Sequence, residues 1–277
     1  MKKNLIKILT PIFICFLIAN SLAQDKSSHE IGVIAGSASF TTDYGQRWDF
    51  ESNVGGNVGP GFGVVYYFAF TDYRYRWNQR TNYWQEHFKV RTEFSYMTAK
   101  LEHFGKWKDQ RKASGDLTDG AKKLRAHTGE TYIFNLGAQL EFNLVDIVDF
   151  GSRRIPHLKW SPYLSAGVFV DFYNPSIHSE LGDWSAPGVL YPKWDINDEV
   201  YGHSSAARDT PGVTMSISGG IGTRYKIGEY ADLIFESRWQ YFFSNYIDGK
   251  NAKHEDPSDK FNDWLLFIHI GYVYYLN

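Results

Sequence analysis

The sequence predicts an all-β fold: an eight-stranded antiparallel up-and-down transmembrane β-barrel with long extracellular loops. Three observations carry this. In Gly212–Tyr246, Val213, Met215, Ile217, Gly219, Ile221, Thr223 and Tyr225 alternate with Thr214, Ser216, Ser218, Gly220, Gly222, Arg224 and Lys226. Farther on, Leu233, Phe235, Trp239 and Tyr241 alternate with Asp232, Glu236, Arg238 and Gln240, and only Ile234 and Ser237 break the pattern. Successive strand residues point to opposite faces, so each half is a strand with one apolar and one polar face. Ile227-Gly228-Glu229-Tyr230 joins them as a hairpin turn. Second, each arm runs to roughly a dozen residues, longer than the ~5–6 of a soluble strand and enough for the ~9–11 of a membrane-spanning one. Third, aromatics make up 17% of the chain, with 19 Tyr and 9 Trp. Beyond the N-terminal segment no apolar run approaches the ~18 residues of a membrane helix.

That N-terminal segment reads as a secretory signal peptide over residues 1–23. Met1-Lys2-Lys3 and Lys7 form a basic start, Ile8 to Ile18 is almost wholly apolar, and Ser21-Leu22-Ala23 is a small-x-small cleavage site. Residues 24–277 are then a single barrel domain. Cys15, the only cysteine, leaves with the signal, so no disulfide or Cys-based metal site is expected. Removing residues 1–23 takes three lysines and no acids, leaving 26 basic against 31 acidic residues and a net charge of −5. That mildly acidic balance argues against a nucleic-acid partner.

The strands follow in order. The first is His29–Thr41. The second, Pro60–Thr71, sets Phe62, Val64, Tyr66, Phe68 and Phe70 on one face. The third, His87–Leu101, alternates Phe88, Val90, Thr92, Phe94 and Tyr96 with Lys89, Arg91, Glu93 and Ser95. The fourth, Tyr132–Leu144, gives the cleanest alternation, and the fifth is Lys159–Tyr173. The hairpin supplies the sixth and seventh, and Asp263–Leu276 is the eighth. An even count brings both chain ends to one side. The long polar segments 43–59, 102–130, 174–211 and 247–262 all fall at one end, and the remaining connections fall at the other. A soluble sandwich or lipocalin-like barrel has no reason to sort its loops by parity, whereas an outer-membrane barrel does.

Tyr and Trp gather near the strand ends. Tyr66, Tyr67, Tyr73, Tyr75, Tyr83, Trp84, Trp160, Tyr225, Tyr230, Tyr272, Tyr274 and Tyr275 lie toward the short-connection side. Tyr44, Trp48, Trp107, Tyr173 and Tyr241 lie toward the long loops. Such amphipathic rings are expected as girdles at headgroup level.

The run SPYLSAGVFVDFY (161–173), then SGGIGTRYKI and the aromatic hairpin, resembles small outer-membrane β-barrels of Bacteroidetes. SASFTTDYGQRWDFESNVGGNVGPGFGVVYYFAF (37–70), with FKVRTEFSY, LEHFGKW and WQYFFSNYIDG, is similar to a flavobacterial family of such barrels. At fold level the chain also resembles the barrel subunit of the type IX secretion and gliding machinery. The resemblance implies fold and a place in the cell outer membrane, and brings no activity or catalytic residue with it. Outer-membrane lipid, the barrel-assembly machinery and other envelope proteins are the partners expected for such a chain.

Projected inward, the polar faces put Lys89, Arg91, Glu93, Glu141, Arg224, Glu236 and Arg238 in the lumen. An eight-stranded barrel has an interior just wide enough for side chains to fill. Unpaired buried charges cost several kcal/mol each, so these seven are expected to form one ionic network rather than a pore or a Glu93–Glu141 acid/base pair. No catalytic residue, metal or cofactor is expected. The nine histidines lack metal spacing, and Gly220-Ile221-Gly222 is too short for a dinucleotide fingerprint. Asp195, Asn197 and Glu199 alternate as weak Ca²⁺ ligands could, but a solvated acidic loop is the commoner reading. The expected role is structural, surface-binding or accessory to envelope assembly. The alternatives are a hydrolase using rim pairs such as His127–Thr128 or His203–Ser204/Ser205, and a narrow channel.

Overall fold

The computed structural model describes residues 27–44, 51–71, 82–150, 157–200, 204–251 and 262–276. The signal-peptide reading of residues 1–23 lies outside them, as do Trp48, Tyr73, Tyr75 and His203. The described chain forms strands β1 (Ser28–Thr41), β2 (Val58–Ala69), β3 (Phe88–Glu102), β4 (His127–Asn143), β5 (Trp160–Ser179), β6 (Gly212–Lys226), β7 (Ala231–Phe242) and β8 (Trp264–Tyr275). Each pairs antiparallel with its sequence neighbour, and β8 pairs with β1 to close the barrel. Short helices α1 (Tyr83–His87) and α2 (Asp119–Ala126) lie in the connections at opposite ends.

Six strands fall within a few residues of the alternation that predicts them. The exceptions are β4 and β5, which run well beyond the rim on the long-loop side. His127 pairs with Ser179 and Thr131 with Pro175, so parts of the expected loops 102–130 and 174–211 are sheet. A separate apolar cluster of Leu124, Ile177, Leu190, Trp194 and Ala207 holds this ribbon from its inner side. Its outer side carries Thr128, Glu130, Ser176 and His178. Those residues stand above the hydrocarbon and so lack the apolar stripe that marks the other strands.

The outward face of the barrel is apolar on every strand. Val33, Phe62, Phe94, Leu136, Val168, Ile217, Phe235 and Ile270, one from each strand, are between 48% and 58% exposed. No Asp, Glu, Lys or Arg occupies the outward positions between Phe94–Tyr96 on β3, Phe134–Phe142 on β4, Trp160–Phe172 on β5, Val213–Tyr225 on β6 or Leu233–Tyr241 on β7. Water does not tolerate such a belt and lipid does. A closed barrel leaves no backbone edge to satisfy within the hydrocarbon. The protein spans the outer membrane through this barrel.

Inward, the lumen has two levels. Charged side chains fill it from the short-connection end to the middle. Above them sits an apolar plug that includes Phe40, Met97, Ile133, Phe242, Leu265 and Phe267. Ile234, an irregularity in the β7 pattern, is an inward residue beside Ile34 and Val65, and these extend the apolar packing downward between the charged groups, since Ile234 lies opposite Arg224. The backbone alternation is therefore unbroken there.

The girdle reading is corrected at four places. Tyr67, Tyr173 and Tyr275 occupy inward positions and are buried, and Tyr44 is buried among the loops. Tyr83, Trp84, Trp160, Tyr230, Tyr272 and Tyr274 are exposed at the short-connection end, where Trp84 stacks on Phe88 with ring centroids 4.1 Å apart. An end-of-strand tyrosine belongs to the girdle only when its parity is outward.

Leu140 is 40% exposed on the lipid face, and its neighbour Gln139 is buried in the lumen. A cation at the midplane of the lipid face costs roughly 2–4 kcal/mol. Leu140→Arg is therefore expected to impair folding into lipid vesicles more than Gln139→Arg, read as the folded fraction on cold gels. Equal losses, or the reverse order, would overturn the assignment of faces.

Candidate functional site

All seven charged residues expected in the lumen are there, each no more than 1% exposed. They form two groups along the barrel axis rather than the one network expected, because each arginine finds its carboxylates within its own group and no ion pair among the described residues joins the two. Register sets the order. Lys89 lies opposite Glu141 at the short-connection end, Arg91 opposite Gln139 one step higher, and Glu93 opposite Gly137 above that.

The lower group centres on Arg224. Its Nη1 donates to Glu30 Oε2 at 2.7 Å and lies 3.6 Å from Asp232 Oδ2. Its Nε donates to Glu141 Oε1 at 2.9 Å, and its Nη2 to Glu141 Oε2 at 3.4 Å. The guanidinium also sits 4.3 Å from the centroid of the buried Tyr67 ring. Lys89 Nζ donates to Glu30 Oε1 at 2.7 Å, and Lys226 lies 3.6 Å from Asp232 Oδ1 at the rim. The Tyr275 hydroxyl donates to Asp232 Oδ2.

The upper group centres on Glu236. Arg91 grips it with Nη1 to Oε2 at 2.5 Å and Nη2 to Oε1 at 2.8 Å, the bidentate geometry that makes guanidinium–carboxylate pairs strong. The Tyr163 hydroxyl donates to Glu236 Oε2 at 2.7 Å, and Ser165 donates to Oε1 at 3.3 Å. Arg238 Nη1 donates to Glu93 Oε2 at 2.5 Å, and Gln139 Nε2 donates to the same oxygen at 3.2 Å. Above them Gln240 Nε2 donates to Asp171 Oδ1 at 3.0 Å and to Ser216 at 2.9 Å. Gly220 and Gly222 face this group. A Cβ at Gly222 would come within 2.4 Å of the Tyr163 ring, and one at Gly220 within 2.9 Å of Glu236 Oε1. The glycine pair makes room for the network and has no part in nucleotide binding.

Two members escaped the sequence reading. Glu30 precedes the outward pair Ile31 and Val33 of β1 by parity, and that alternation could have placed it in the lumen. Asp232 heads the polar face of β7 and belongs with Glu236 and Arg238. With these two, five carboxylates face Lys89, Arg91, Arg224 and Arg238, with Lys226 at the rim. The acid/base alternative fails on geometry, because Glu93 binds Arg238 in the upper group and Glu141 binds Arg224 in the lower. At the rim, His127 is buried with Nε2 3.2 Å from the Tyr44 hydroxyl, and Thr128 follows it on the opposite face of β4. Asp195 is buried and accepts from the backbone N of Gly188 and of Asn197, as a loop cap does. No group of potential metal ligands occurs among the described residues.

No protein-family model matches the chain, and no curated protein matches it in sequence. Among solved structures it is similar to the attachment invasion locus protein Ail of Yersinia pestis, crystallised with the heparin analogue sucrose octasulfate. The identity is 12% over 91% of this chain and 100% of that one, with a TM-score of 0.40. Neisserial surface protein A is 11% identical over 90% and 99% of the two chains, with a TM-score of 0.43. A major outer membrane protein from Thermus thermophilus is 9% identical over 90% and 99%, with a TM-score of 0.44.

Removing one partner of a fully buried ion pair costs about 3–5 kcal/mol. Glu236 is the sole carboxylate that Arg91 grips bidentately, whereas Arg224 keeps Glu30 and Asp232 when Glu141 is lost. Glu236→Gln should lower the thermal midpoint of the barrel more than Glu141→Gln, read as heat-modifiability on gels. Arg91→Met combined with Glu236→Met should cost less than the sum of the two single changes, since coupled residues are not additive. Additive losses would show that the pair is not coupled.

Proposed function

We propose that this protein is a closed outer-membrane barrel that presents a folded cap outside the cell for recognition or envelope assembly, and that it neither conducts nor catalyses. The observation that carries the proposal is the filled lumen. Arg91, Arg224, Arg238, Glu93, Glu141 and Glu236 are fully buried, and a water column past them would leave them wet. The apolar plug closes the remaining length above. The loop end has its own small core and buried polar contacts, so it is a shaped surface rather than a set of tethers.

The four long connections share one end, and in bacterial outer-membrane barrels that end faces outward. Insertion by the barrel-assembly machinery, contact with outer-membrane lipid and docking of other envelope proteins belong to the same reading. It is supported by the apolar belt and by the pairing of β8 with β1 that seals the barrel.

In planar bilayers the wild-type protein is expected to show no steady single-channel conductance. A reproducible ion-selective current would make the lumen a pore and end this reading. Protease added to intact cells is expected to cut at the exposed Arg111 or Lys112 and to spare Lys226-Ile227-Gly228. Cleavage at the turn with the loop protected would invert the orientation.

A further inference from the structure

Above the plug, the four connections of the loop end meet at one side chain. Lys250, between β7 and β8, is fully buried. Its Nζ lies 2.8 Å from His103 Nε2, 3.1 Å from the Tyr44 ring centroid and 4.1 Å from the Trp194 ring centroid. Tyr44 comes from the β1–β2 connection, His103 from the β3–β4 connection and Trp194 from the β5–β6 connection. His127 completes the cage, with its ring 5.4 Å from that of His103 and its Nε2 3.2 Å from the Tyr44 hydroxyl. Asp248 ties the base of the cage, accepting from the backbone N of Asp43 at 2.9 Å and of Lys250 at 2.8 Å.

A lysine ammonium over two aromatic faces is a cation–π arrangement, strongest when desolvated. The 2.8 Å contact then requires His103 to accept at Nε2, which means a neutral imidazole. Lys193 is also 4.1 Å from the Trp194 centroid. Protonating either histidine would add a second buried cation beside Lys250. His127 Nδ1 is buried and meets no hydrogen-bond partner among the described residues, so an imidazolium there would bury an unpaired donor. The remaining charges acting on the cage are Asp43, Asp248 and Asp263 on the acidic side, and Lys108 and Lys193 on the basic side.

We propose that Lys250, His103, His127, Tyr44 and Trp194 form an acid-operated clasp that pins the four connections over the barrel mouth at neutral pH and releases them when the histidines take up protons.

The linkage has a definite sign. Burial, then Lys250, hold His103 well below its ordinary value of 6.5. The closed form therefore resists a proton that the open form accepts, and its advantage is complete above 6.5 and lost as pH falls below it. Asp248 works the other way. Burial and Asp43 raise it to about 7, so opening releases its proton between pH 7 and 4. Burial, then Lys250, hold His127 down too, and two imidazoles taking up protons outweigh one carboxylate giving one up. Burial lowers Lys250 as well, against the pull of Asp248 and Asp43, so opening never costs it a proton. Opening thus gains one proton or more, a population shift of at least roughly tenfold per pH unit below 6.5.

The test is amide hydrogen exchange on the full-length protein in detergent micelles at pH 7.5 and 5.0, corrected for intrinsic rates. The β-strands serve as internal control. Protection around Tyr44, Trp194 and Ser244–Asn251 is expected to fall at least tenfold at pH 5.0 while the strands hold. The double variant His103→Gln, His127→Gln, which cannot be protonated and keeps an acceptor at 103, should lose that response. Protection equal at both pH values in the wild type, or an undiminished acid response in the double variant, would overturn the clasp. If the double variant is already open at pH 7.5, Lys250→Met decides: with the neighbouring cation gone the acid response should shrink, and a response as large as wild type counts against the proposal.

Discussion

Hydrocarbon offers no hydrogen-bond partner, and the structure follows from that constraint. Each backbone N–H and C=O within the bilayer must be paired by the protein, which for strands means a sheet closed on itself, here by β8 on β1. Closure then fixes the two faces. Whatever points outward must be apolar, and whatever points inward shares a space barely wide enough for side chains. Charges sent inward leave the lipid face clean, but water is scarce there, so each needs a partner across the lumen. Arg224 reaches from β6 to Glu30 on β1 and Glu141 on β4, and Arg91 reaches from β3 to Glu236 on β7. These bonds cross the barrel as the strand ladders run around it. Together with the apolar plug above, they brace walls whose backbone ladders join only neighbouring strands.

This constraint explains what could be read from the sequence. Wherever lipid lies on one side and lumen on the other, the period of two is enforced residue by residue. β3, β6, β7 and β8 could thus be placed within a residue or two, and Lys89, Arg91, Glu93, Arg224, Glu236 and Arg238 could be sent inward from parity alone. Beyond the hydrocarbon the enforcement stops. The outer ends of β4 and β5 are as regular as the rest, yet water on one side lets Thr128, Glu130, Ser176 and His178 stand there, and the pattern fades into that of a loop. α2 is hidden likewise. Its Thr118 cap and the buried Leu124 serve a small core built from several connections, which no local window of sequence contains.

Parity also separates residues of one chemical type. Tyr66 and Tyr67 are neighbours in sequence at the same height, yet one faces lipid and the other lies under the Arg224 guanidinium. The pairing of individual charges was not legible, because strand order fixes neighbours around the wall but not which side chain reaches across it. Glu30 and Arg224 are close only because the barrel closes. The cage around Lys250 is further out of reach, since four of its members are single residues from four connections of different length and composition and the fifth, His127, is the first residue of β4.

The two levels of the lumen bear on how the ends can behave. The ion pairs occupy the short-connection end and the middle, and the apolar plug separates them from the cap. Tyr44 and Ile247 belong to both plug and cap, so a rearrangement above would be felt first at Phe40, Phe242 and Leu265. Those side chains can meet water at the cost of some apolar exposure, whereas Arg91 and Glu236 would be rehydrated and their coupling weakened. Lower still, Phe267 and Phe169 lie 5.2 Å and 5.0 Å from the Arg238 guanidinium and shield the topmost ion pair. With the charges deep and the greasy layer between them and the loops, the cap can change shape while the membrane-spanning part stays braced and dry. A barrel with the reverse order, charges at the mouth and apolar residues below, would tie each movement of its loops to the stability of its wall.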